Sequence, residues 1–276
     1  METKDEIPEL EKASTPDDKD GGAICQELGK AWRSTTKVLF GVEMDKLSGY
    51  ENYLKRYTDP MENRKSAITG KDVTISSNRI PTNAKVIAHD EADYYAKMTA
   101  SVPFNINEIK DIDSIVAATR EKVFYTGNVL LGNSIGSKAC HRCVNLSYSY
   151  GCQDVRDGKY VAFTTSIRNP EYSFGCCFGG DIKFCIKILD PYNVTRSVEL
   201  FHANVVGDSY YCGTIEDSDN CMFSFNQKNK HYLIGNIQLP RDKYATLKAK
   251  LVAEMADELK SKKKLPSIID IIRGED

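Results

Sequence analysis

Cys140-His141-Arg142-Cys143 is the one Cys-x-x-Cys in the chain, and a histidine sits between its cysteines. Two thiolates at that spacing can supply half of a tetrahedral zinc site, and His141 could add a third ligand. A structural site needs four ligands, and no second pair follows. A redox role would want a thioredoxin-like strand and helix around the motif, which the flanking residues do not offer. Cys140, Cys143 and His141 are thus the candidate metal ligands and zinc the candidate metal. The competing reading is that these cysteines are small buried hydrophobes. Cys176-Cys177, Cys185, Cys212 and Cys221 are expected inside strands, at ladder positions where that second reading is favoured. Nucleophilic catalysis requires a thiol or hydroxyl, a histidine and an orienting carboxylate. Cys140 or Cys143 with His202 and Asp208 can be assembled on paper, but no local motif marks the set, so no catalytic residue is assigned. Glu216-Asp217-Ser218-Asp219-Asn220 concentrates acids, yet it lacks the glycine and distal glutamate of a defined calcium loop.

The elements that would position these residues repeat. Tyr148, Tyr160, Tyr172 and Phe184 are twelve residues apart, and behind each runs an alternation such as Tyr148-Tyr150-Cys152 or Phe184-Ile186-Ile188. After a weaker unit, Arg196-Val198-Leu200, and a one-residue slip, the phase returns at Ser209-Tyr211-Gly213, Cys221-Phe223-Phe225 and Leu233-Gly235. Alternation at period two is a strand signal, and a fixed longer period over it is a repeat signal. Turn chemistry closes the units, as at Asp157-Gly158, Asn169-Pro170 and Asp190-Pro191. A β-solenoid and an antiparallel meander folded as a sandwich both fit such a string. Constant phase favours the solenoid, because a meander does not need it.

Residues 220–236 (NCMFSFNQKNKHYLIGN) resemble the Cys-, Asn- and Tyr-rich units of a group of uncharacterised repeat proteins from archaea and candidate-phylum bacteria, some labelled as CaiB/BaiF family. The resemblance extends over about residues 140–240 and concerns the repeat type; it brings no activity with it. Those proteins often carry a cysteine-containing, zinc-ribbon-like region ahead of the repeats. Here Ser66-Ala67-Ile68-Thr69-Gly70-Lys71 stands at that place without the cysteine.

Ahead of the repeats, residues 1–22 hold eight acidic residues and three lysines and read as a disordered acidic tail. Residues 23–125 read as a mixed α+β region. Ile24, Leu28 and Trp32 share a helix face, with Trp32, the single tryptophan, as its anchor. Tyr50, Tyr53, Leu54 and Tyr57 form a second apolar stripe. Residues 67–75 read as strand, turn at Gly70, strand. Helices follow from Asp90 and from Asp111 or Asp113, the latter with Ile115, Val116 and Val123 on its buried side. Gly127, Gly132 and Gly136 suggest short strands out of phase with the later units. The repeat region spans 126–239. Beyond it, 240–276 holds a helix with the stripe Tyr244, Leu247, Leu251, Met255 and Leu259, then an isoleucine-rich turn of helix after Pro266.

The fold class is therefore α+β: a mixed N-terminal region, a β-solenoid of about twelve-residue units and a C-terminal covering helix. Among 276 residues, 41% are hydrophobic and 28% charged, with a net charge of -2. That composition is globular and argues against a general basic field for nucleic acid. No apolar run is long enough to insert in a membrane. Nine cysteines without a secretory leader suggest free thiols and a cytoplasmic location. The function these features favour is a non-catalytic structural or protein-interaction protein, with a protein partner or self-association. A cysteine-based metal module and a glycan- or acyl-group enzyme on a β-helix are the alternatives.

Overall fold

The computed structural model describes residues 18–76, 80, 83–100, 110–168, 172–176 and 179–274. The expected turn at Asn169-Pro170, Cys177 and residues 1–17 of the expected tail lie outside them. Helix α1 (Asp18–Phe40) begins within that expected tail. Trp32 anchors it as expected: the indole is fully buried, donates from Nε1 to Asp45 O at 2.9 Å, and packs edge-on to Phe174 of the solenoid. A short helix α2 (Glu51–Leu54) buries Tyr53 and Leu54. Strands β1 (Met61–Lys65) and β2 (Asp72–Ser76) form an antiparallel hairpin whose turn contains Gly70 at φ +74°. The first strand lies earlier than the sequence pattern suggests. Strand β3 (Val86–Ala88), helices α3 (Ala92–Ala100) and α4 (Ile112–Lys122), and strand β4 (Tyr125–Gly127) complete this region, with β3 and β4 parallel. Asp111 caps α4 by accepting from Ser114 N. Val116 and Val123 are exposed, contrary to the expected buried face.

Residues 130–234 form a β-solenoid of about eight turns, with helices on the N-terminal side and a C-terminal helix, so the class is α+β. Parallel partners lie twelve residues apart: Gln153 with Thr165, Ile188 with Leu200, Leu200 with Cys212, Cys221 with Leu233. The first coil holds one extra residue, since Leu130 pairs with Cys143 but Ile135 with Ser147, so Gly132 is out of phase while Gly136 is in register with the later units. Amides donate one way along the stack, as His141 N does to Cys152 O. They also donate the other way, as Asp154 N does to His141 O. Within 130–234 the described pairing is parallel; an antiparallel pair closes the last coil, Leu233 against Gln238.

The internal period is three, not two. Cys140, Cys143, Leu146, Ser149, Cys152 and Val155 are all buried, and the same frame recurs at Leu200, Ala203, Val206, Ser209, Cys212, Ile215, Ser218 and Cys221. The residue before each inward position is left-handed in most triplets: Ala139, Arg142, Asn145, Tyr148, and later Glu199, His202, Val205, Asp208, Tyr211 and Thr214 all have φ between 46° and 59°. Each left-handed residue turns a corner, so a twelve-residue coil has four sides of three residues. The apparent one-residue slip does not exist. Tyr211 belongs to a neighbouring column, and the column of Tyr148 continues in register through Arg196, Asp208, Asn220 and Tyr232.

The coil interior is narrow, which selects the residues found there. A Cβ on Gly158 would come within 2.7 Å of Val155 and 2.8 Å of Leu146. Serine and cysteine fit because each can hydrogen-bond its own corner. Ser197, Ser209 and Ser218 Oγ donate to the carbonyl two residues back, and Cys212 and Cys221 Sγ do the same at 3.4 Å. Ser197 and Ser209 Oγ then accept from the amide twelve residues on. The described cysteines are free, and all but Cys25 are buried.

Outside the coil, Tyr148, Tyr160, Tyr172 and Phe184 stack at the expected equivalent positions, with centroids 6.2, 5.5 and 4.9 Å apart. Helix α5 (Arg241–Lys262) lies on this flank beside α1, and helix α6 (Ile268–Arg273) follows it. Tyr244, Met255 and Leu259 of α5 are buried, whereas Leu247 of the expected stripe is exposed and Ala256 is buried in addition. No described helix is long and apolar enough to cross a membrane.

Two outcomes follow from this packing. Val205 is β-branched, 47% exposed and held at φ +50°, a conformation that Asn tolerates at lower cost. Val205→Asn should raise stability by about 1 kcal/mol in urea titration; a loss would contradict the corner assignment. Burial of Tyr244, Met255 and Leu259 contributes roughly 5–9 kcal/mol before entropy. A chain ending at Leu239 should therefore aggregate or lose cooperative melting, and an unchanged midpoint in a monomer would contradict the packing.

Candidate functional site

The structure places Cys140 and Cys143 inside the coil and His141 outside it. The thiols donate to Lys138 O and His141 O respectively. Hydrogen bonding with Cys140, reinforced by burial, pushes the Cys143 thiol upward, and burial pushes Cys185 up to about 12 and Cys221 up to about 11. Such thiols favour the protonated form at neutral pH and are poor nucleophiles. Among the described residues, no three His, Cys, Asp or Glu side chains are grouped to hold a metal ion. His141 instead fills the junction with the N-terminal region. Its Nε2 is 2.9 Å from Tyr125 Oη, and its Nδ1 is buried without a partner.

The other paper assemblies are also dispersed. His202 Nδ1 lies 2.8 Å from Asp190, twelve residues back, and Asp208 accepts from Arg196 at 2.7 Å. Glu216 pairs with Lys228 and Asp219 with His231, each one coil away. Arg142 with Asp154 and Asn145 with Asp157 follow the same rule. Polar side chains on the coil exterior are thus largely satisfied by their neighbours along the stack.

One place departs from this pattern. The aromatic column of Tyr148, Tyr160, Tyr172 and Phe184 changes to Arg196, Asp208 and Asn220 before returning to Tyr232. Over this polar stretch lies a cleft of about 610 Å³, walled by the end of α1 with Gly41 just beyond it and by α5. Lys248 reaches into it from α5. Its ammonium donates to Asp208 O at 3.2 Å and to Asn220 Oδ1 at 3.4 Å. It lies 5.3 and 5.7 Å from the ring centroids of Tyr210 and Tyr244. Among the described ion pairs it has none. Desolvation lowers its pKa, although the Asp208 charge opposes the shift. Tyr210 Oη is fixed on Leu39 O at 2.8 Å, and Tyr244 is buried with its hydroxyl unpartnered. Sequence reasoning missed this site. Its one signal was the unit at Arg196 that breaks the aromatic repeat.

No family model, no curated protein and no solved structure matches the chain.

The junction residue gives a pH test. Burial, then the Arg142 charge, lowers the His141 pKa from 6.5 to about 4. The unfolded chain therefore takes up this proton near pH 6.5 and the folded chain only near 4. Stability is complete above that window and falls through it on acidification, by roughly 3 kcal/mol at most. His141→Gln should flatten the slope of unfolding free energy between those pH values; an unchanged slope would contradict the buried neutral imidazole.

Proposed function

We propose that the chain is a non-catalytic binding protein in which the solenoid is a rigid scaffold and the cleft between α1 and α5 receives a protein partner. The supporting observation is the break in the outer ladder. Where neighbouring coils present stacked aromatics, Arg196, Asp208 and Asn220 stand under an open cleft, with Lys248 in no ion pair among the described residues. Paired charges along the remaining coil exterior suit a scaffold that keeps its register and leaves recognition to one place. Residues 220–236, which carry the resemblance to the Cys/Asn/Tyr-rich repeat proteins, lie in the last coils, so we read that resemblance as one of scaffold.

A photo-crosslinking residue at Ala249, exposed in the cleft, should capture a discrete partner in the cells of origin. The same residue at Asn204, exposed on the coil edge, should not. Equal capture from both positions, or none from Ala249, would contradict the proposal.

A further inference from the structure

We infer that the cleft recognises an acidic peptide side chain, a Glu or Asp carboxylate next to a bulky apolar residue. This rests on the reading of the cleft as the partner site and names the chemistry it selects. The lining carries three cations, Arg196, Arg241 and Lys248, against the single carboxylate of Asp208. That carboxylate is engaged by Arg196 at 2.7 Å. Lys248 is left half-buried: it donates to a carbonyl and an amide oxygen and lies over two rings, and although the Asp208 and Asp219 charges act on it, no carboxylate among the described residues is within ion-pair distance. A charge removed from water in this way is costly until it meets an opposite charge. A carboxylate arriving at Nζ would supply that charge and form a charge-assisted hydrogen bond.

The first turn of α5 adds to the same field. Arg241 opens the helix, Asp242 beside it offsets part of its charge, and the N-cap, Pro240, makes no side-chain cap bond. The positive end of a 22-residue helix therefore stands at the cleft rim. The remaining wall is apolar: Val38, Phe40, Ala245, Ala249 and Val252. An extended polyanion would find little beyond the cleft, since the chain has a net charge of -2. A local carboxylate flanked by aliphatic side chains matches both the charged floor and the apolar wall.

The test compares acetyl-Leu-Glu-Leu-amide with acetyl-Leu-Gln-Leu-amide by amide chemical-shift titration of the full chain. The Glu peptide should shift the amides of Gly41, Ala245, Lys248 and Ala249 and bind about tenfold or more tightly than the Gln peptide, the worth of a charge-assisted hydrogen bond. Its affinity should fall between about 50 and 300 mM salt. Lys248→Met should abolish the preference while keeping the dispersed spectrum of the fold, and Lys248→Arg should retain it. If both peptides shift the cleft amides with equal affinity, the carboxylate inference is overturned and the cleft stands as the site. If neither peptide shifts them, or shifts appear elsewhere, the cleft reading fails and this inference with it.

Discussion

A left-handed residue at nearly every third position is the constraint on which the solenoid depends. It closes a coil in twelve residues, with sides too short to hold a bulky interior. The inward positions are accordingly small or aliphatic, being Gly, Pro, Cys, Ser, Thr, Ala, Val, Ile and Leu, and the hydroxyls and thiols turn back onto the carbonyl of their own corner. The cysteine content thus has a packing explanation. Left-handed L-residues carry a cost of about 1–2 kcal/mol each, least for Asn and Asp. Asn145, Asp157, Asp190, Asp208, Asn226 and Asn229 occupy such corners, and the bulky exceptions Tyr148, Tyr160 and Phe184 recover contact energy by stacking on the next coil.

Register along the stack is held by pairs twelve residues apart. Most are exposed and individually weak. Lys187 and Glu199 differ because both are buried and lie 3.1 Å apart, within ion-pair distance. Lys187 sits over the rings of Tyr53 and Tyr57, and Glu199 accepts from Tyr53 Oη at 2.5 Å and Ile268 N at 3.0 Å. One ion pair therefore joins two coils to α2 and α6. Breaking such a pair from one side leaves a buried charge, which makes docking of these helices specific to this coil boundary. Arg56 and Tyr57 on Asp270 reinforce the same joint.

The twelve-residue period, the aromatic column and the covering helix were legible in the sequence because tyrosine, phenylalanine and amphipathic spacing are loud signals. The triplet was not. Its inward positions alternate Cys, Ser, Gly and Pro with aliphatics, so hydrophobicity barely marks them. Beside Asn and Asp, its left-handed corners hold Tyr, Arg and even Val, which give no turn signal. Tyr211 imitated a slip because it is an aromatic one column over. The cleft was hidden for another reason. Lys248 lies on the face of α5 expected to be polar, and its neighbours come from residues near 40, 210 and 220, which only the docking of α5 and α1 brings together. Cys140 and Cys143 were legible as a motif, but the triplet turns both inward and His141 out.

The most direct test of the triplet solenoid is a set of spin-label distances along one exterior column, with labels on Asn145, Asp181 and Asp217. Stacked coils advance by about 4.8 Å each, so three coils separate neighbouring labels by roughly 14 Å and six coils by roughly 29 Å. The account predicts that the 145–217 distance is the sum of the 145–181 and 181–217 distances. A 145–217 distance no longer than the two shorter ones, as a folded-back antiparallel sheet would give, would contradict it.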